Sequence, residues 1–258
     1  MTIRISSGLR NHIMQHGSLK NALHGGKLMI YTGGQPATAD AAPTGTLLAT
    51  ITGASLAHTA EVKASGTVTL ATGASGSVNT VTVNSINLIP NGAVAFNTSL
   101  TQTATDLAAA INEGQSSPEY TAESSGAVVT IYAMRGAGTS ANGLVVTATL
   151  TTITATYANM SGGVASVNGL RFGNAAAGLV AKDATQTWTG VAAASGIAGY
   201  ARFVGAVADS GIADAVEAQI RLDGSVAVSG GDIAMGNTTV QSGATQTIAS
   251  FSVNIPAS

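Results

Sequence analysis

Two histidines have the spacing of a metal-binding pair. His12 and His16 are four residues apart, which places two imidazoles on one face of a helix, and His24 follows. No Glu follows His12 as in the HExxH motif, no third ligand is close in sequence, and Gly17 interrupts the helix. A polar helix face is the simpler interpretation, so we expect no metal site here.

Four aspartates in predicted loops or turns are the other candidate cation ligands: Asp209, Asp214, Asp223 and Asp232. Carboxylate oxygens are the ligands that Ca²⁺ prefers. The D-x-D-x-D-G spacing of calcium loops is absent, however, and aspartate in turns usually accepts hydrogen bonds from the backbone. We therefore predict turn-stabilising roles, with no metal and no cofactor.

Two glycine-containing segments match catalytic or phosphate-binding loops only in part. Residues 136–143 (GAGTSANG) have neither G-x-G-x-x-G nor G-K-[ST] spacing, so a hairpin loop is predicted. Residues 53–57 (GASLA) lack the last glycine of the G-x-S-x-G nucleophile elbow.

The chain has no cysteine and only 9% charged residues, against about 25% in average domains. Because catalysis draws on such groups, we expect no enzymatic activity.

Charge and hydropathy also limit the classes of partner. A net charge of −2 disfavours nucleic acid as the main partner. No apolar run approaches the ~18–20 residues that a membrane helix needs. The first residues, 1–17, lack a signal-peptide pattern because polar residues interrupt the apolar region. We therefore expect no nucleic acid and no membrane among the partners.

The N-terminal segment carries basic residues and no acidic ones. Arg4, Arg10 and Lys20 accompany a short apolar face that includes Leu19 and Leu23. Two interpretations stay open, namely a basic arm that docks on a neighbouring subunit and a solvated helix face. These five residues are our first candidates for an interface.

Trp188 is the sixth interface candidate and the only tryptophan. It lies in a segment with the period-two alternation of a half-buried strand. The expected role is a core or interface anchor, and the alternative is an exposed indole that stacks on sugar.

The pattern of hydrophobic residues predicts a mainly β protein. Short strands alternate Val, Ile or Leu with Thr, Ser or Asn between glycine-rich turns, which favours a β-sandwich or jelly roll. Ser7 and Ser18 are predicted to cap two short helices, over residues 8–15 and 19–23, and a strand is predicted over residues 27–32. The pair Asp223-Gly224 predicts a hairpin, with strands over residues 215–222 and 224–228.

The middle of the chain has its own alternation and its own helix, over residues 103–112. Residues 61–163 are predicted to form a small β-rich domain in the order β-β-α-β-β-β, with the second strand over residues 80–89. Residues 1–60 and 164–258 each have too few strands for a stable sandwich, so we predict that they join. The result is an outer β-sandwich domain for assembly, with residues 1–26 as a helical arm and the small domain inserted in a loop.

Three segments carry a family resemblance: residues 30–52 (IYTGGQPATADAAPTGTLLATIT), 195–211 (SGIAGYARFVGAVADSG) and 220–256 (IRLDGSVAVSGGDIAMGNTTVQSGATQTIASFSVNIP). They resemble a family of small structural proteins of tailed bacteriophages, which open with a short helical stretch like residues 9–23. The inserted domain resembles β-rich modules of phage tail and surface proteins, with a DLAAAIN-type helix between strand pairs.

The resemblance implies a virion component that is made in the host cytoplasm. Its partners would be further copies of itself and other virion proteins, and head decoration, neck and tail positions all stay open. The low charge fits this role, because large interfaces deplete charge at their cores. The resemblance supplies no catalytic residues. The alternative function is a glycan- or receptor-binding β-sandwich module, which needs exposed aromatic side chains, and only 4% of the residues are aromatic.

Overall fold

The computed structural model of this chain describes residues 3–15, 17–114, 116 and 119–254. It is mainly β, with 42% strand, 13% helix and several antiparallel sheets. The chain divides into two compact units. Unit 1 consists of Met1–Glu61 and Ser166–Ser258, and unit 2 is Val62–Ala165. The boundaries expected from the sequence, 60/61 and 163/164, lie within two residues of this division.

Unit 1 begins with short elements and two longer strands. These are β1 (Arg4–Ile5), α1 (Ser7–Gln15), α2 (Leu19–Leu23), β2 (Lys27–Thr32) and β3 (Leu47–Gly53). Ser18 caps α2 as predicted, because its side chain accepts a hydrogen bond from Asn21 N. The cap of α1 differs from the prediction. Ser6 Oγ accepts the N–H of Leu9 at 3.1 Å, so Ser6 rather than Ser7 caps this helix.

Unit 2 contains eight strands, one α-helix and one 3₁₀ turn in the described part of the chain. They are β4 (Ser65–Thr72), β5 (Ser77–Val83), β6 (Ile86–Asn87), β7 (Val94–Ala95), α3 (Leu100–Glu113), β8 (Thr121–Ser125), β9 (Val128–Tyr132), the 3₁₀ turn Gly138–Ala141, β10 (Val146–Thr151) and β11 (Thr154–Ser161).

The return segment of unit 1 supplies the remaining strands. They are β12 (Leu179–Ala181), β13 (Trp188–Val191), β14 (Gly196–Val204), β15 (Arg221–Ala227), β16 (Ile233–Ala234), β17 (Thr239–Val240), β18 (Thr245–Ile248) and β19 (Ser252–Asn254).

A nine-stranded sheet organises unit 1. Its order is β1-β15-β14-β2-β3-β13-β18, with β16 beside β15 and β17 beside β14, while β12 and β19 form a separate pair. One face of this sheet packs on an apolar core. At the centre of that core the rings of Phe172, Trp188, Phe203 and Phe251 lie with centroids 5.3 to 6.0 Å apart.

The N-terminal helices belong to unit 1 and do not form a separate arm. Leu9 of α1 and Leu23 of α2 are fully buried members of the apolar core. Strand β1 pairs with β15, with Arg4 opposite Asp223. The predicted arm is therefore wrong, because the apolar face of residues 9–23 is already covered by the same chain.

The predicted hairpin at Asp223-Gly224 is also wrong. Both residues lie inside β15, and Asp223 is fully buried. An Asp-Gly pair favours a turn because glycine readily adopts positive φ and the aspartate carboxylate can accept a hydrogen bond from the local backbone. Here the carboxylate instead binds Arg202, the residue opposite it on β14, and both residues of the pair lie within the strand.

Unit 2 differs from the predicted order in three places. The strand expected over residues 80–89 is broken by Asn84 and Ser85, which both have positive φ and separate β5 from β6. Strands β7 and β11 were not predicted. Residues 136–143 join strands of two different sheets, so they do not close the expected hairpin.

The core of unit 2 lies under α3, whose buried side chains include Leu107 and Ile111. Two four-stranded sheets, β10-β5-β6 with β7 and β11-β4-β9-β8, supply the other core residues. Outside the core, Thr80 pairs with Thr149 and Thr82 with Thr147 through hydroxyl hydrogen bonds of 2.7 and 2.8 Å. Such cross-strand pairs replace charges as the polar surface of the sheet.

The chain leaves and re-enters each unit at neighbouring positions. In unit 1, Thr59 and Val167 exchange two backbone hydrogen bonds of 3.1 and 3.0 Å. In unit 2, Val62 and Val164 exchange two of 3.0 and 2.9 Å. In the part of the chain that the structure describes, no helix is long and apolar enough to cross a membrane.

Close backbone packing in the main sheet gives a stability prediction at Gly190 of β13. A Cβ there would lie 2.1 Å from the carbonyl oxygen of Thr50 on β3. Gly190→Ala should therefore lower the free energy of unfolding by about 1–3 kcal/mol, measured by chemical denaturation. Gly236→Ala is the control, because nothing lies within 4 Å of the place that its added methyl group would take. Equal stabilities of the two variants would contradict this packing.

Candidate functional site

The central strands of the main sheet have one apolar and one polar face. On the apolar side, Phe203 of β14 lies between Leu28 of β2 and Leu222 of β15. The next residue of β14, Arg202, points to the opposite side and lies beside Asp223 of β15. Alternation along a strand therefore places a charged pair on the second face of a sheet whose first face is core.

Arg202 and Asp223 form a buried bidentate ion pair. Nε and Nη2 of Arg202 donate to the two carboxylate oxygens of Asp223, each at 2.7 Å. The two side chains are 2% and 0% exposed. The remaining guanidinium nitrogen, Nη1, donates to the backbone oxygen of Ala41 at 2.9 Å. One arginine thus neutralises a buried carboxylate and binds a loop that crosses this face.

Arg221 repeats the arrangement at the start of β15. It is fully buried, and Nε and Nη2 donate to the two oxygens of Asp209, each at 2.6 Å. It also donates to the backbone oxygens of Asp40 at 3.1 Å and Ile212 at 2.8 Å. Arg221 therefore ties together two loops, residues 33–45 and residues 205–219.

Two further side chains fasten the loop of residues 33–45. Arg4 donates to the carbonyl oxygens of Gln35 and Pro36. Tyr200 stacks on Tyr31 with centroids 5.2 Å apart, and its hydroxyl both accepts from Thr44 N and donates to Thr44 O, each at 2.9 Å. The loop carbonyls that cover the polar face are thus satisfied by side-chain donors.

Aspartates connect these loops to α1. Asp40 accepts the backbone N–H of Ser7 at 2.8 Å and its hydroxyl at 3.0 Å, at the start of the helix. Its own backbone oxygen accepts the N–H of Asp214 at 2.8 Å, and Asp214 in turn accepts the N–H of Gln219. The two loops therefore lie side by side as one rigid surface, which we call the loop platform (residues 33–45 and 205–219).

The loop platform exposes small and aliphatic side chains. Ile212 is 66% exposed and Val216 is 81% exposed. Its arginine partners are buried beneath it, and Asp209 and Asp214 are occupied by hydrogen bonds. The arrangement can present a largely apolar contact surface that carries one exposed carboxylate, that of Glu217.

Asp209 and Tyr31, which belong to this network, have shifted pKa values. Burial by itself would raise the pKa of Asp209, but hydrogen bonds from Arg221 and from Gly211 N, together with the Arg221 charge, lower it below its usual value. Burial first, and then the neighbouring Tyr200, raise the pKa of Tyr31 to about 12. Asp209 is therefore ionised and Tyr31 is neutral around neutral pH.

Two of the six predicted interface residues lie in the core. Trp188 and Leu23 are fully buried, and the indole nitrogen of Trp188 donates to Gln186 at 2.9 Å. Neither can contact a partner, so the interface assignments of both residues are wrong, as is the sugar-stacking alternative for Trp188, whereas the expected role of Trp188 as a core anchor is confirmed. Burying the large apolar ring of an indole stabilises the core more than burying its single N–H costs, because that N–H finds a local acceptor.

The other four lie closer to the surface. Leu19 packs partly against the core, and Arg4 is occupied by the loop carbonyls described above. Arg10 is exposed and donates to Ser7 Oγ at 2.7 Å, while Lys20 donates to Asn174 at 2.9 Å. An interface role for Arg10 and Lys20 stays a prediction.

The candidate metal ligands do not come together. Nε2 of His12 lies 3.2 Å from Asn21 Oδ1, and His24 is exposed, with a pKa lowered by partial burial and by the charges of Lys20 and Arg171. His16 lies outside the described residues. Among the residues that the structure describes, no group of three or more His, Asp or Glu side chains could hold a metal ion.

The four predicted turn aspartates each have a protein partner. Asp223 binds Arg202, Asp209 binds Arg221, and Asp214 accepts from the backbone. Asp232 accepts from the N–H and hydroxyl of Ser225 at 2.9 and 2.7 Å. In the GASLA segment, Ser55 Oγ donates to the hydroxyl of Thr189 at 2.9 Å and has no histidine beside it among these contacts.

Sequence reasoning missed Arg202 and Arg221, which organise the platform. Arg202 stands in an otherwise apolar segment, YARFV, and Arg221 stands next to Leu222 and one residue before the carboxylate of Asp223, in IRLDG. A charged residue at an inward position of such a strand needs a buried partner, so this pattern could have pointed to the ion pairs.

Comparison with known proteins finds no match of the chain to any protein-family model and no similar curated protein.

Breaking the Arg202–Asp223 pair tests how the platform is held. Asp223→Leu or Arg202→Met alone should lower the free energy of unfolding by about 3–5 kcal/mol, because each leaves an uncompensated buried charge. The double variant should lose much less than the sum of the single variants, as measured by urea denaturation. Strictly additive losses would show that the two side chains do not act as a pair.

The lowered pKa of Asp209 gives a pH dependence. The unfolded chain binds a proton on this carboxyl at a higher pH than the folded chain, so folding stability should fall as pH drops below about 4. Asp209→Asn should be less stable than the natural chain at pH 7, and this difference should shrink toward pH 3. Denaturation midpoints across this range measure it. A constant difference at all pH values would contradict the assignment.

Proposed function

We propose that this chain is a structural protein of a tailed-bacteriophage virion that acts through multi-copy assembly. Its place is head decoration, neck or tail, and its partners are further copies of itself and other virion proteins. The chain would be made in the host cytoplasm and remain in the particle. It would work without a cofactor and without catalysing a reaction.

One observation carries this proposal. The three segments that resemble phage structural proteins meet in a single buried network in unit 1. Residues 30–52 supply Asp40 and Ala41, residues 195–211 supply Arg202 and Asp209, and residues 220–256 supply Arg221 and Asp223. The three segments that resemble the family are distant in sequence, but their residues are hydrogen-bonded to one another in space. This supports the proposal that the chain shares the family's fold.

The loop platform supports an assembly role in physical terms. Its backbone is fixed by buried arginines before any partner arrives, so docking would cost little ordering of the loops. Its exposed side chains include the aliphatic Ile212 and Val216 besides the charged Glu217, and the fully buried centre of an interface is more apolar than the rest of a protein surface. The charged side chains beneath it serve the fold, and the exposed side chains, Glu217 included, are available for contacts with a partner.

We further propose that unit 1 is a β-sandwich. The apolar face of the nine-stranded sheet lies against Phe172 and Phe251, and the pair β12-β19 follows directly from the segments that contain them. A second layer of this kind is the arrangement expected for a sheet with one buried apolar face.

The alternative function, a glycan- or receptor-binding module, loses its main support. It depended on an exposed aromatic platform, and the only tryptophan is buried in the core. Fold class alone does not distinguish the two functions, so the test has to be made on particles.

The proposal predicts that the chain is a stoichiometric part of purified phage particles. Mass spectrometry of gradient-purified virions should detect it at many copies per particle, and immunogold electron microscopy should place it on the head, the neck or the tail. A matched sample of lysate from uninfected host is the control. Particles that contain no trace of the chain would overturn the proposal and make a free binding protein the leading idea.

A further inference from the structure

Strand β18, at one end of the nine-stranded sheet, has a free edge. It pairs with β13 on one side, and no other described strand is hydrogen-bonded to its far side. An open cavity of about 510 Å³ borders this edge, lined in part by Asn237, Thr239 and residues 244–247. The edge is therefore accessible from outside.

The hydrogen bonds around β13 show which residues of β18 face outward. Thr187 O accepts from Ala54 N and Ala193 N donates to Leu48 O, so the odd-numbered residues of this segment face β3. Ala192 N donates to Ala244 O on the other side. By the alternation of an antiparallel ladder, Gln246 faces β13, whereas Thr245 and Thr247 direct their N–H and C=O groups to the free edge.

Two devices that usually protect an edge strand, charged side chains and proline, are missing here, and only the short length of β18, four residues, protects it. The strand reads Thr-Gln-Thr-Ile, without charge or proline, and the residues that line the cavity are also uncharged. Two exposed apolar side chains are cross-strand neighbours of residues that line the cavity. Val191, 55% exposed, is opposite Thr245, and Ile197, 68% exposed, is opposite the cavity residue Thr239.

We propose that β18 pairs with β18 of a second copy of this chain, which continues the main sheet across a two-fold axis at Gln246. In this register Thr245 faces Thr247 of the second copy and Thr247 faces its Thr245. All four outward-facing residues are then paired, and no charge is opposed to itself. This inference rests on the proposed function, since it names one contact of a multi-copy assembly.

The same geometry fixes the strength of the contact. Four strand residues bury far less than the ~800 Å² per partner of a stable interface, even with Val191 and Ile197 added. The contact is therefore weak between isolated chains and becomes effective when other contacts hold the copies together. A covalent trap is the appropriate way to detect it.

The chain contains no cysteine, so one substitution places a unique thiol at the axis. In Gln246→Cys, the two thiols belong to a directly opposed pair of strand residues, with Cα atoms at disulfide distance. Mild oxidation of the purified full-length variant should give disulfide-linked dimers on non-reducing gels. Thr247→Cys is the matched control, because its counterpart in the second copy is offset along the strand and its Cα lies about 8 Å away.

Cross-linking of Gln246→Cys should be on the order of tenfold faster than that of Thr247→Cys. Adding Thr247→Pro to Gln246→Cys removes an outward N–H that the ladder with β13 does not use. This proline should abolish the excess cross-linking and leave the circular dichroism spectrum unchanged.

Equal rates for the two cysteine variants would overturn the pairing, and so would cross-linking that survives the proline in a folded protein. Detection of the chain in particles together with equal rates would overturn this inference alone. Fast, proline-sensitive cross-linking of a chain that is absent from particles would overturn the virion proposal alone.

Discussion

The buried carbonyl groups of an irregular loop need hydrogen-bond donors, and in unit 1 arginine side chains supply them. A loop that covers a sheet face without such donors would leave peptide oxygens unsatisfied, at a cost of about 1–3 kcal/mol each. Arginine suits this position because one guanidinium offers five donors in a fixed plane. Arg202 and Arg221 each use part of this set for an aspartate and the rest for loop carbonyls. The same guanidinium group thus makes both the ion pair and the hydrogen bonds that hold the loop.

Such a network is retained for what it positions more than for net stability. Well-packed apolar side chains in place of a buried ion pair are often as stable or more stable. An apolar replacement could not hold residues 33–45 and 205–219 at defined places, however, because it donates no hydrogen bond to their carbonyls. The network therefore gives the surface loops of unit 1 a defined position. This explains why strands with otherwise apolar inward residues contain charges.

The sequence was informative where local patterns decide the structure, as for the mainly β class, β2 over Lys27–Thr32 and the Ser18 cap. It failed where a distant residue decides. Asp223-Gly224 has the local pattern of a turn, but Arg202, on another strand, makes it the middle of β15. Trp188 was placed correctly in a strand, but period-two alternation does not tell a core face from an interface face. Helices α1 and α2 were located well, whereas their packing depends on contacts across the unit.

The paired crossings of the chain, Thr59 beside Val167 and Val62 beside Val164, have a consequence for how such a gene can change. Because the two ends of unit 2 are neighbours, and the two ends of the gap in unit 1 are neighbours as well, a single recombination event can remove or exchange the whole of unit 2. A short peptide bridge would then close unit 1 at little cost in loop entropy. Unit 2 can therefore vary in sequence or be replaced while unit 1 keeps the contacts that define its own fold.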